Sequence, residues 1–156
     1  HDRLSLFDLT STSICHFCQY PDESHSHLFF NCLFSTRIWN ALKAKCNVNW
    51  PDLHWPNVIN FSTKEKKGKS LRSIIFKLSL LCSVYHIWLE RNNRIFNKEY
   101  KLEEVLIKSI IQMIRGRLVS INNLPRSTGD GWFIAQLKLP ESILKPHIIM
   151  NGRAAE

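Results

Sequence analysis

The chain has 156 residues, 44% of them hydrophobic and 22% charged, with a net charge of +8 and a pI near 9.4. That is apolar material enough for one domain or two very small ones, and the charge content is that of a globular protein rather than a disordered one. No uninterrupted apolar run approaches a membrane span, and the positive balance points to an anionic partner.

The charge is unevenly placed. Residues 1–60 carry four basic and five acidic residues, 61–119 carry thirteen basic and five acidic, and 120–156 carry four and three. Phosphate contacts, if the partner is nucleic acid, are therefore expected from the middle segment. The chain opens on His1 with no initiator Met and no recognisable targeting peptide, as in a fragment or excised domain, and the closing NGRAAE reads as added sequence.

In chain order, RLSLFDL (3–9) reads as a brief helix or an extended lead-in. CHFCQYPDESHSHLFFNC (15–32) follows, holding three of the five cysteines and three of the seven histidines. A tight turn between Cys15 and Cys18 aims both sulfurs at one point, as in C-x2-C zinc knuckles. With His27 and Cys32 the spacing is C-x2-C-x8-H-x4-C, three thiolates and one imidazole. His25 is the alternative to His27, and His16 is expected to point away. A closed set of this kind suits structural Zn2+, whereas catalytic zinc keeps one position open. The competing reading is a group of reduced, buried cysteines acting as small hydrophobes. A disulfide framework is weaker, given an odd cysteine count and no secretory signal. Cys46 and Cys82 sit in helical patterns and read as core.

ESHSHLFF (23–30) reads as a short helix that ends or bends before Cys32, with Glu23 near its N-terminus. FSTRIWNALKAKC (34–46) places Phe34, Ile38, Trp39, Leu42 and Cys46 at helical spacing, with Ser35 as N-cap and Trp39 as a core anchor rather than a base-stacking ring. NVNWPDLHWPNV (47–58), with two Trp-Pro pairs, reads as loop. FSTKEKKGKS (61–70) is either a solvated connector or a phosphate-contacting loop built on Lys64, Lys66, Lys67 and Lys69.

From Leu71 the pattern predicts one helix of ~25–30 residues, about 40 Å long, with Leu71, Ile74, Ile75, Leu78, Cys82, Tyr85, Trp88 and Leu89 on its apolar face. A second helix begins near Leu102, with Glu103 and Glu104 in its first turn and Arg115 and Arg117 at its end. Its expected apolar face is Leu102, Val105, Leu106, Ile110, Met113, Ile114 and Leu118. Joined by NKEYK (97–101), the two should pack as an antiparallel hairpin. Beyond the turn-rich NNLPRSTGDG (122–131), WFIAQLKLP (132–140) is expected as a short strand or extended arm tied down by Trp132 and Phe133. The expected fold class is all-α: a CCHC zinc-knuckle helical module (1–49), a Pro/Trp and Lys-rich linker (50–70), a long basic helical hairpin (71–119) and an extended tail (120–156).

Two stretches together carry a resemblance. DRL, CHFC and ESHSHLFFNCLFSTRIW form the first; VYHIWLERNNRIFN and EEVLIKSIIQMIRGRL form the second. This combination resembles the zinc-binding region at the C-terminal end of plant LINE-type (non-LTR) retrotransposon reverse transcriptases, over roughly residues 2–46 and 83–118. The HLFF-x-C and IW-x-ERN-x-R-x-F pairing is specific. The resemblance implies Cys15, Cys18, His27 and Cys32 as zinc ligands and a polymerase located elsewhere. Leu33 departs from the pattern, which often has Pro after the last cysteine and so a firmer helix start. The upstream aromatic-rich helix of the family is not in this chain.

Function follows as a set of expectations. There are no paired polymerase aspartates, no endonuclease carboxylate cluster and no phosphate-cradling Gly loop, and Asp130 in TGDG reads as a turn residue; the chain is expected to be no enzyme. Glu90 and Arg94, spaced i, i+4, can pair along the helix, and Arg91 can cap it or reach its hairpin partner. Alternatively Arg91 and Arg94 join Lys98, Lys101, Lys108, Arg115 and Arg117 in a basic edge for the phosphates of RNA or DNA. Tyr85 and Trp88 offer stacking surfaces, but their helical phase favours burial. The rival expectation is an interaction or scaffold subunit facing a protein partner or the rest of a longer polypeptide. No membrane role is expected, and the setting is intracellular, nuclear or cytoplasmic.

Overall fold

The computed structural model of the chain describes residues 14–21, 23–47, 56–58, 60 and 68–146. The RLSLFDL lead-in and Lys64, Lys66 and Lys67 lie outside the described residues. The fold is mostly helical, with no strand among the described residues.

Helix α1 spans Leu33–Cys46 and starts where Cys32 leaves the preceding turn in an extended conformation. Cys32 therefore occupies the N-cap position, and Leu33 takes the first helical place without a proline. Ser35 is not the cap: it lies inside the first turn, buried, and its Oγ donates to the Leu28 carbonyl at 2.5 Å. The expected apolar face holds. Phe34, Ile38, Trp39, Leu42 and Cys46 are all buried, and Trp39 Nε1 donates to the Phe29 carbonyl at 2.6 Å. Residues 56–58 and 60 are helical rather than loop; Pro56 is compatible with a first helical turn, which needs no amide donor there.

Helix α2 spans Leu71–Asn92, capped by Ser70, whose side chain accepts from the Ser73 amide at 3.3 Å. A wide π turn, Asn93–Asn97, continues it, and together they make 27 residues. By length and composition alone this helix is long and apolar enough to cross a membrane, as a buried core helix also can be, so the expectation about span length concerns uninterrupted runs and not the helix as a whole. Its interspersed serines hide the average from a search for unbroken apolar sequence.

The buried face of α2 is rotated from the expected one. It runs through Leu71, Ser73, Ile75, Phe76, Ser79, Cys82, Ser83, Ile87 and Glu90. Small serines let neighbouring helices approach, and the Ser83 hydroxyl is satisfied by the Ser79 carbonyl at 2.6 Å. Tyr85 and Trp88 are consequently not buried; they are 47% and 41% exposed.

Helix α3 spans Glu103–Val119 and returns along α2: the Lys101 amide donates to Glu90 at 2.8 Å, and further along Arg117 is near enough to act on Cys82. The hairpin is thus antiparallel. Leu106, Ile110, Ile114 and Leu118 form its seam, while Leu102 and Val105 stay exposed. Each fully buried Ile or Leu on such a seam contributes about 1.5–3 kcal/mol through lost apolar hydration. Helix α1 packs on both members of the hairpin, and Arg37 on α1 pairs with Glu103 at the start of α3.

The tail is not a strand or arm over 130–137. It forms helix α4, Asp130–Leu137, which packs on α1 and α2. Gly129 enters it at φ 93°, a left-handed conformation that suits glycine. Asp130 is buried and its carboxylate accepts from the Ser127 amide at 2.7 Å, closing the turn. Phe133 and Leu137 face inward one turn apart; Trp132 is exposed. Beyond a short 3-10 turn, Glu141–Ile143, an isolated parallel bridge joins Leu124 to Leu144. One hydrophobic cluster runs from Cys15 through these elements to Leu144.

Candidate metal centre

Residues 15–20 close on themselves. The Cys15 amide donates to the Tyr20 carbonyl at 2.9 Å and the Gln19 amide to the Cys15 carbonyl at 2.8 Å, with Gln19 left-handed at φ 61°. This loop presents Cys15 inward, fully buried, and Cys18 at the surface.

The second pair depends on a local departure from α geometry. On an α-helix, residues five apart point about 140° away from each other. Here His27–Asn31 winds as a π turn, and the Cys32 amide bonds the His27 carbonyl at 2.7 Å. The wider turn brings His27 and Cys32 toward one side. Ser24 Oγ accepts from the His27 amide at 3.1 Å, and the Tyr20 ring stacks on the imidazole at 5.0 Å. The expected short helix is thus present, but wound to suit the two ligands.

The ligand atoms of Cys15, Cys18, His27 and Cys32 all lie within 4.8 Å of one another. Cys15 Sγ and Cys32 Sγ are 3.8 Å apart, and Cys18 Sγ and His27 Nε2 are 3.2 Å apart. A tetrahedral zinc with bonds of about 2.3 Å to sulfur and about 2.0 Å to nitrogen requires separations of roughly 3.5–3.8 Å. The donor set therefore fits zinc in number and type, and its four atoms are gathered on that scale. When bound, zinc supplies a cross-link with no position left for water, which is the structural kind of site. His25 is exposed and stacked on Phe29, outside the cluster. The hydrogen bond between the two buried sulfurs lowers the Cys15 thiol to about 4 and pushes Cys32 upward. Cys46 and Cys82 are buried apart from the cluster, and burial raises both thiols.

Glu23 stands just ahead of the helical turns that begin at His25, as expected, and also forms an ion pair with Arg91 of α2. Burial raises the Glu23 carboxyl, and Arg91 opposes that shift. Arg94 pairs with Glu90 at 2.8 Å, as its spacing allows, and donates to the Lys101 carbonyl at 3.0 Å. Its guanidinium also lies 4.7 Å from the Phe17 ring centroid and 4.6 Å from that of Phe34. Arg91 and Arg94 are thus both partly buried and engaged in ion pairs within the fold. Nothing in the local sequence marks the Glu23–Arg91 pair, because its members stand 68 residues apart.

The remaining described basic candidates, Lys69, Lys98, Lys101, Lys108, Arg115 and Arg117, are exposed. On α3, Lys108 and Arg115 share a face, whereas Arg117 points about 160° away from Arg115 by helical geometry. On α2, exposed Leu81, Tyr85 and Trp88 line an open apolar groove of about 380 Å³ with Phe29 and Val58.

No curated protein and no solved structure matches the chain. The second resembling stretch, 83–118, lies outside the family match, which covers the start of the chain and all four ligands. Residues 1–39 match the family model described as zinc-binding in reverse transcriptase.

Proposed function

We propose that this chain is a non-catalytic, zinc-stabilised module of a reverse transcriptase of the non-LTR retrotransposon type, or of a protein derived from one, and that it contacts RNA or DNA through phosphate. The match of residues 1–39 to a reverse-transcriptase zinc-binding family carries the reading. The closed Cys3His set supports a structural metal and no chemistry at it. The net charge of +8, and exposed Lys69, Lys108, Arg115 and their neighbours, support a polyanionic partner in the nucleus or cytoplasm.

The test is binding of the zinc-loaded chain to single-stranded RNA, hairpin RNA and duplex DNA across a salt series. Binding that falls steeply with salt, and that weakens in Lys108→Glu/Arg115→Glu without loss of zinc, is the expected result. No binding at low salt overturns the nucleic-acid reading. It would favour a second one, a protein-docking module, for which the exposed groove of Leu81, Tyr85 and Trp88 is the supporting observation.

A further inference from the structure

We propose that Arg91 and Arg94, at the far end of α2, are outer-shell positioning residues of the zinc centre that set its metal affinity. His16 and Phe17 stand between Cys15 and Cys18, and the loop they form is reached from the end of α2 on both sides.

Phe17 stacks on Phe34 of α1, ring centroids 4.4 Å apart, and the Arg94 guanidinium lies against both rings. Arg94 is itself fixed. Its Nε bonds the carboxylate of Glu90, its second nitrogen bonds the Lys101 carbonyl, and Tyr100 lies 5.5 Å away. The Glu90 carboxylate also accepts from the Lys101 amide, so the acid is 2% exposed yet well supplied with donors. This anchored cation gives Phe17 a defined seat.

The His16 side is reached through Glu23. The His16 backbone amide favours the ionised Glu23 carboxylate, and Arg91 pairs with that carboxylate in a largely buried setting. Charge adds to the geometry. Three thiolates and an imidazole around a divalent cation leave one net negative charge, and Glu23 stands close enough to Cys15 for the two to repel. Arg91 offsets the second negative charge beside the centre. Groups hydrogen-bonded to the ligands themselves alter metal affinity about 10–100-fold; Arg91 and Arg94 act one contact further out, so the lower end of that range is the effect expected of each.

Arginine is suited to both places. A planar guanidinium stacks on rings and bonds carboxylates through fixed N–H groups, which an ammonium does not do. Linkage then makes the coupling mutual: whatever α2 contributes to zinc affinity, zinc returns as order at the α2–α3 junction.

The experiment measures zinc affinity by competition with a chromophoric chelator, using the whole chain. Arg91→Gln and Arg94→Gln should each bind zinc at least about 10-fold more weakly. Arg94→Lys, which keeps the charge but loses the flat stack, should fall between them and wild type. Arg126→Gln breaks the exposed pair with Glu141 in the tail and should leave affinity unchanged. In wild type, chelation should also speed hydrogen exchange of the Lys101 amide. Affinities within twofold of wild type for both Gln variants overturn the proposal. Should those variants fail to fold at saturating zinc, Arg94→Lys and Glu23→Gln decide it, and unchanged affinity in both overturns it.

Discussion

His25 and His27 are separated by one residue, yet only the second meets the three sulfurs. Winding, not proximity in sequence, makes the difference. His25 lies ahead of the π turn and stacks on Phe29, whereas His27 begins that turn and is held by Ser24 and Tyr20. His25→Ala should therefore retain one zinc per chain at wild-type affinity. His27→Ala should lose more than the about 10–100-fold typical of outer-shell changes. Metal analysis together with chelator competition separates the two. The ligands themselves were legible in the sequence because C-x2-C and H-x4-C are local spacings. The choice between His25 and His27 was not settled by spacing, because each offers an imidazole at a plausible separation. The Glu90–Arg94 pair was legible from its i, i+4 spacing, whereas the partners Glu23 for Arg91 and Phe17 for Arg94 were not, because they stand about 70 residues away in the chain.

At the scale of the element, periodicity located the helices and missed their rotation. The span from Leu71 was predicted at about the right length, but its buried face includes Ser73, Ser79 and Ser83, which a hydrophobic pattern skips. Tyr85 and Trp88 were assigned inward by helical phase and lie outward. WFIAQLKLP looked extended because aromatic and β-branched residues favour strands; Gly129, Asp130 and the one-turn spacing of Phe133 and Leu137 instead make it α4. Two glycines test these elements with opposite signs. Gly116 lies within α3 with open space where a Cβ would sit, so Gly116→Ala should stabilise by about 0.5–1 kcal/mol. Gly129 has the same open space but a φ of 93°, so Gly129→Ala should destabilise by about 1 kcal/mol. Urea midpoints at saturating zinc measure both.

Across the whole molecule, pH acts through a partly buried imidazole. Burial, then the nearby charge of Lys101, holds His86 below its ordinary range, and its Nε2 has no hydrogen-bond partner among the described residues. The folded form thus prefers neutral His86. Its contribution to stability is complete above the unfolded value of about 6.5 and is lost as pH falls from there through the folded value. The urea midpoint should drop between pH 7.5 and 5.5, and His86→Gln should drop less. Ligand protonation contributes equally to both proteins, so the difference isolates His86; identical pH profiles would refute the assignment.

The π turn at His27–Asn31 also makes ligand spacing a record of winding. An ordinary α turn brings residues four apart to one side, so H-x3-C would need no distortion. H-x4-C carries one residue more and absorbs it as a wider turn. The surplus is smallest in effect at Asn31, which is exposed and contributes no ligand atom. Removing that residue would convert one spacing into the other while keeping both donors, so deletion of Asn31 should replace the π turn with an α turn and still leave one zinc per chain by metal analysis.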